Sequence, residues 1–249
     1  MRHIFVIGMG AGSPEHITYQ AARALGEVQA VVALDKGEAK DDLLALRRQI
    51  LQRHAPEVPL VTVTDPPRDR QPADYQAEVR TWHQRRAQLL KEAIERAVPD
   101  GGTVGFLVWG DPSLYDSTLR IIGRMEKLGL ECDTRVFAGI TAVQALTAAH
   151  GIVLNRIGEQ IVITTGRNFA ATSAKDRRNC VVMLDGGHAW QEAYTEDTYI
   201  WWGAYLGTPM EIVREGYVSQ VGQELAELKA TLRQEHGWIM DIYLVRELD

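Results

Sequence analysis

The sequence predicts an α/β protein of two domains, with helices packed on largely parallel sheets. Three observations carry this. Short apolar runs end at glycine and lead into amphipathic stretches, and strand and helix patterns then alternate to the end of the chain. The 249 residues suffice for one large or two modest cores. A composition of 45% hydrophobic and 24% charged residues is that of an ordinary globular protein.

"HIFVIG" (residues 3–8) is the pattern of a buried parallel strand. Ser13-Pro14-Glu15 marks a helix start, and "ITYQAARALGEV" places Ile17, Ala21, Ala24 and Leu25 on one face. "AVVALDK" and "PLVTV" are the next strands. Arg47 and Arg48 lie between them in a charged helical stretch and read as surface. "ADYQAEVRTWHQRRAQLLKEAIERAV" is the strongest helix, with Tyr75, Val79, Trp82, Leu89, Ala93 and Ala97 along one side. "GTVGFLVWG" is a buried strand followed by a helix that ends at Gly129. "FAGITAVQALTAAHGI" is a turn into a helix of small residues. The series continues as "IVITTG", "VVMLDGG" and "YIWWGAYLG", where at least one of Trp201 and Trp202 belongs to the core. A helical "QELAELKATLRQEHG" and a last strand "IMDIYLVREL" close it. A fresh strand–helix series after "AAHGIVLNRIGEQ" places the boundary between domains 1–150 and 151–249.

The formal charge of −6 argues against a general nucleic-acid or membrane binder, because affinity for phosphates needs a basic field. It leaves room for an anionic substrate met by local arginines. Cys132 and Cys180 cannot build a framework of several disulfides and read as core residues of a reduced compartment. No Cys-His spacing fits a metal site, and the seven histidines form no recognisable triad with an acid. The N-terminus shows no secretion signal, and no apolar run approaches a membrane span. A cytoplasmic protein is expected.

Three short stretches carry chemistry. In "VIGMGAGSPEHIT", Gly8, Gly10 and Gly12 form G-x-G-x-G, with Ser13 where a dinucleotide fingerprint needs its third glycine and Pro14 directly after. A nicotinamide site, a tight strand-to-helix turn without a ligand, and a different ligand loop all remain open at this point. In "LVWGDPSLYDST", Pro112 stops a strand and turns the chain, which puts the Asp111 carboxylate at the strand's carboxyl end. Open α/β sheets bind ligands there; alternatively, Asp111 simply caps the next helix. "AGITAVQA" alone reads as close helix packing.

Together and in this order, the stretches resemble the tetrapyrrole methylase family of S-adenosylmethionine-dependent enzymes. The family's glycine loop followed by Leu/Ile-Thr is similar to "GMGAGSPEHIT", and its Gly-Asp-Pro strand end to "WGDPSLY". Its Pro-Gly-Ile-Thr/Ser-Ala helix start resembles "AGITAVQA", with Ala138 in place of the usual proline. The resemblance continues through "VVML" and "YLGTPMEIV" and so spans essentially the whole chain. "LDKGEAKDDLLALRR", "DPPRDR", "TWHQRRA" and "FLVWGDPSLYDSTLRI" are similar, as a set, to one branch of that family. That branch methylates C1 of precorrin-5 in aerobic cobalamin synthesis and loses the C20 acetyl unit as acetate.

The resemblance implies two α/β domains with a cofactor cleft between them, S-adenosylmethionine as cofactor, and a homodimer. By position, Ala11, Trp109, Gly110, Asp111, Leu114, Thr141, Ala142, Leu184 and Gly207 would contact the cofactor, with Asp111 near its ribose or amino-acid moiety. A substrate rich in carboxylates needs forked cations. Arg68 and Arg70 in the proline loop, and Arg85 and Arg86 on the long helix, are the candidates. Gly8, Gly10 and Gly12 are expected to form a wall without side chains against the macrocycle. For deacetylation, Asp111, Tyr19, Tyr115 and His16 could activate water or the acetyl carbonyl. No spacing selects one, and Asp111 and Tyr115 stand as the catalytic candidates. A nicotinamide oxidoreductase, an idle tetrapyrrole-binding module, and a methylase for another precorrin or uroporphyrinogen are the alternatives.

Overall fold

The computed structural model describes residues 1–35, 37, 41–67, 69, 74–192 and 194–248, without the side chains of Asp41, Asp42 and Tyr75. Two compact units divide between Thr141 and Ala142.

The first unit, Met1–Thr141, is a five-stranded parallel sheet in the order β3-β2-β4-β1-β5. The strands are β1 (Arg2–Gly8), β2 (Ala30–Asp35), β3 (Leu60–Thr64), β4 (Gly102–Val108) and β5 (Cys132–Phe137). Ile4 and Val6 face one side of β1, and Phe5 and Ile7 the other, and all four are buried. Helices therefore cover both faces, which a parallel sheet requires. On one face lie α1 (Tyr19–Leu25) and α2 (Asp41–His54), which add Ala21, Leu25, Leu46 and Ile50 to Phe5 and Ile7. On the other lie α3 (Tyr75–Ala97) and α4 (Thr118–Lys127), which add Leu90, Ile94, Ile121 and Met125 to Ile4, Val6 and Phe106. Thr18 caps α1 by accepting from the Ala21 N–H at 3.1 Å. Past α4, Gly129 turns left-handed (φ 87°) and Leu130 N–H reaches back to Met125 O at 3.0 Å, ending the helix at the glycine expected to stop it.

The α3 face is rotated from the expected one. Ala87, Leu90, Ala93 and Ile94 form its buried side, while Trp82 and Leu89 are only half-buried.

The second unit, Ala142–Asp249, departs from the expectation of largely parallel sheets. Its strands are β6 (Val162–Thr165), β7 (Asn179–Met183), β8 (Thr198–Ala204), β9 (Ile212–Tyr217) and β10 (Asp241–Glu247), in the order β6-β7-β10-β8-β9. Only β6–β7 is parallel; β10 runs antiparallel to both β7 and β8, and β9 to β8. Helix α5 (Ala142–His150) packs on β8 and β10. The units consequently divide ahead of this helix, where the sequence placed the boundary near residue 150. Short helices α6 (Gly166–Phe169) and α7 (Ala174–Arg177) precede β7, and α8 (Val218–His236) covers a core built on Trp190, Trp202 and Tyr243. Trp201 and Trp202 are both buried. Burial pushes the Cys180 thiol up to about 12, which leaves it an inert core residue.

Candidate active site

Parallel strands β4, β1 and β5 are neighbours, so their carboxyl ends fall on one edge of the first sheet, the edge where open α/β sheets bind ligands. Gly8 ends β1, Gly110 and Gly139 follow β4 and β5 by two residues, and the three glycine backbones touch. Met9 N–H donates to Val108 O at 2.8 Å and Gly110 N–H to Gly10 O at 2.8 Å, a single antiparallel bridge beyond the sheet. A Cβ on Gly8 would come 2.6 Å from Gly139 Cα, and one on Gly10 would come 2.2 Å from His16 Cβ. Gly8, Gly10 and Gly12 are buried. The glycines expected to form a wall against a substrate are therefore not an open surface; Gly8 and Gly10 bring strand ends and loop together by backbone contact.

Asp111 pins this junction. Its Oδ2 accepts from Gly139 N–H at 2.7 Å, and its Oδ1 accepts from Ser113 N–H at 2.8 Å and the Ser113 hydroxyl at 2.5 Å. Burial works to raise its pKa, but the Ser113 hydroxyl and the backbone N–H groups of Gly139 and Ser113 outweigh it and hold the carboxyl below its ordinary value. An ionised carboxylate with both oxygens engaged is suited to fixing the Gly-Asp-Pro turn, not to donating a proton. Asp111→Asn is expected to lower stability by about 1 kcal/mol, the value of one hydrogen bond weakened. The sign follows from the lowered pKa: the contribution is full above the unfolded value of about 3.9 and is lost as pH falls through the folded one. Thermal melts of both proteins at several pH values should therefore converge in acid.

Three further positions stand out by backbone strain. Among the described residues, the non-glycines with left-handed φ are Tyr115 (52°), Leu184 (52°) and Tyr205 (51°). Each such conformation costs about 1–3 kcal/mol and tends to mark functional segments. Tyr115 closes "WGDPSLY", Leu184 ends "VVML" and Tyr205 opens "YLGTP", which are the segments singled out by the sequence. Tyr115 and Leu184 also expose 45% and 65% of their surface, an unusual setting for large apolar groups in strained backbone. Gly207 (φ 76°) donates its N–H to Glu211 Oε2 at 2.6 Å, which sets the turn after Tyr205. Trp109, Leu114, Thr141 and Ala142 are half-buried, and Ala11 is buried.

The family model of the tetrapyrrole (corrin/porphyrin) methylases matches residues 3–222. The chain belongs to this family. This methylase is 41% identical, over 99% of its length and 96% of the relative, to a precorrin-6A synthase [deacetylating] of Sinorhizobium sp. The crystal structure of a cobalamin synthesis related protein (CobF) from Corynebacterium diphtheriae is 60% identical, with a TM-score of 0.90 and 100% of both chains covered. A uroporphyrin-III C-methyltransferase from Thermus thermophilus, solved with S-adenosylhomocysteine, shares the fold at 16% identity. Its TM-score is 0.60, and the match covers 98% of this chain and 92% of the other.

The arginines of the methylase sort by their partners. Arg86, expected to hold substrate, is 4% exposed. Its Nε donates to Asp65 Oδ1 at 2.6 Å, its Nη2 contacts Asp65 Oδ2, and its guanidinium lies 3.3 Å from the centre of the Trp82 ring. This cation holds α3 to the end of β3 and is not available to a ligand. Arg85 is exposed and shares an open groove with Arg80 and Arg124. Arg68 and Arg70 lie outside the described residues. Sequence reasoning missed Arg47. Its Nε donates to Leu107 O at 3.0 Å and its Nη1 to Leu43 O at 2.7 Å, and burial lowers its pKa to about 10. A cation in a charged stretch reads as surface, and only the contact with β4 reveals otherwise.

Proposed function

We propose that the chain transfers a methyl group from S-adenosylmethionine to C1 of precorrin-5 and releases the C20 acetyl unit as acetate, giving precorrin-6A for cobalamin synthesis. The 41% identity, end to end, with precorrin-6A synthase [deacetylating] carries this reading. The residues present suit the cofactor. The glycine junction of β1, β4 and β5 keeps side chains away from the sheet edge, and the strained Tyr115 and Leu184 offer exposed apolar surface. Bound S-adenosylmethionine supplies an electrophilic methyl group on a sulfonium.

Ala11, Trp109, Gly110, Asp111, Leu114, Thr141, Ala142, Leu184 and Gly207 are the residues that would hold it. Asp111 orients the Gly-Asp-Pro turn through Gly139 and Ser113, and Tyr115 follows in the same loop. Attack by an electron-rich ring carbon needs alignment and exclusion of water more than a strong base, and the structure supplies a pinned turn, not a free base. Arg85 is the described cation for the substrate carboxylates. The same reading carries a homodimer in the cytoplasm. No described helix is long and apolar enough to cross a membrane.

The test is thermal unfolding with S-adenosylhomocysteine and, in parallel, with NAD. S-adenosylhomocysteine at about 100 times its dissociation constant should add about 2.7 kcal/mol, and NAD nothing. Incubation with precorrin-5 should then release one acetate for each methyl transferred. A shift with NAD alone, or methyl transfer without acetate, would remove the reading.

A further inference from the structure

At the carboxyl ends of β2 and β4 lies a cavity of about 110 Å³, lined by α2 from one side of the sheet and by α3 and α4 from the other. A single water needs only about 10–15 Å³ on this measure, so there is room for a ligand of several atoms. Most of its lining residues are apolar, Leu44, Phe106, Ile121 and Ile122 among them, while polar atoms supply about half of the exposed wall. The polar exceptions are Arg47, Arg86, and the segment Asp116, Ser117 and Thr118 at the start of α4. Arg86 is already neutralised by Asp65. Asp116 Oδ1 is turned to the Thr118 N–H, which it accepts at 2.6 Å. The Ser117 hydroxyl caps nothing.

Arg47, half-buried, is the lining cation with no ion-pair partner among the described residues. Its Nε and Nη1 are taken by two backbone carbonyls, and its Nη2 makes no hydrogen bond among the described residues. None of their carboxylates comes within ion-pair distance, and Asp116 acts on it only through space. A desolvated charge is normally paired, because leaving it alone is costly. Here the remaining Arg47 Nη2, the Ser117 hydroxyl and the positive end of α4 line one chamber together with apolar side chains. This is the chemistry that recognises a carboxylate with a short hydrocarbon tail.

We propose that this cavity binds a short-chain carboxylate, acetate-sized, with the carboxylate on Arg47 and the methyl group among Phe106, Ile121 and Ile122. That the carboxylate comes from the reaction rests on the function proposed above, in which acetate is a product. The placement agrees: β4 lines the cavity with Leu107 and Val108 and then runs directly into Trp109-Gly110-Asp111. Two sources share this chemistry, free acetate and a carboxylate arm of the macrocycle.

Saturation-transfer NMR with acetate and propionate, and fluorescence titration with uroporphyrin III, distinguish the sources in wild type, Arg47→Met and Ile121→Phe. Acetate binding that weakens about tenfold or more in Arg47→Met identifies the free product. Uroporphyrin binding that weakens in the same way, without free acetate binding, identifies the arm. Ile121→Phe leaves the cation in place and narrows the apolar end, so it should penalise propionate more than acetate, or weaken uroporphyrin if the arm is the source. Should Arg47→Met fail to fold, the Ile121→Phe measurements decide alone. Wild-type binding of neither ligand, or binding indifferent to both variants, overturns the proposal. The S-adenosylhomocysteine shift is read on the same samples. A retained shift with no carboxylate effect removes only the cavity's role, and a missing wild-type shift removes the reading of function.

Discussion

Gly139→Ala is expected to destabilise the first unit by about 3 kcal/mol, the upper end for overpacking, and to abolish the stabilisation by S-adenosylhomocysteine. A Cβ at this position would sit 2.1 Å from Gly110 O and 2.8 Å from Gly8 Cα. Both are main-chain atoms of adjacent strand ends, so no side chain can rotate away to make room. Relief requires β4 or β1 to move at the point where Gly10 and Gly110 bridge them. The same shift would pull Gly139 N–H from Asp111, loosening the Gly-Asp-Pro turn in step. Gly186→Ala is the control, since a Cβ there meets nothing within 4 Å; it should fall within about 0.5 kcal/mol of wild type. Urea unfolding with and without S-adenosylhomocysteine measures both variants. A Gly139→Ala protein that unfolds with the wild type would show that the three glycines do not form the rigid junction described.

That junction also shows what a sequence can and cannot reveal. Three glycines in a row of five residues announce that something passes close to the backbone, and the structure agrees. What passes close is other backbone, from β4 and the loop after β5, which local pattern cannot name. Strands β1 and β4 are legible because Ile4–Gly8 and Val104–Val108 are apolar throughout and buried on both faces. Strand β5, "CDTRVF", and strand β9, "IVREGY", escape for the opposite reason. They lie at sheet edges with exposed positions and charges, so neither period emerges.

The direction of the second sheet was misread because an apolar run reports burial on both sides, not polarity. Antiparallel β8 and β10 are buried as continuously as a parallel strand would be. Asp111 was legible as a strand-end carboxylate, but its bond to Gly139, far along the chain, was not. Arg47 and Arg86 both depart from the roles their neighbours suggested. The first bonds back to the carbonyls of Leu107 and Leu43, and the second is captured by Asp65 and Trp82.

Lys229→Met should destabilise the second unit by about 3–5 kcal/mol, the range for removing one partner of a buried ion pair. Lys229 is 1% exposed, with Nζ 2.7 Å from Asp241 Oδ2 and donating to Asp185 O at 2.6 Å. Trp202 Nε1 donates to the same Asp241 oxygen at 3.1 Å. Asp185 is better held, by Ala189 N–H and the Tyr243 hydroxyl, each at 2.9 Å. Methionine preserves the apolar stem against Trp190 and removes the charge, so the loss falls on Asp241 and on the Asp185 carbonyl that Nζ also reaches. Burial already raises the Asp241 pKa, with Lys229 the main group working against it. Without the lysine the carboxyl rises further, and a group with a raised folded pKa holds its proton in the folded state and releases it on unfolding. The variant should therefore lose more stability than the wild type as pH rises from about 3.9 through that further raised value. Adding Asp241→Leu removes the stranded charge, and the double variant should recover most of the loss, short of what the orphaned Trp202 N–H costs, about 1–3 kcal/mol. Urea unfolding of the single and double variants across pH closes this cycle. A single variant within 1 kcal/mol of wild type, or a double variant as unstable as the two losses added, would show that the pair is not what holds α8 to β10.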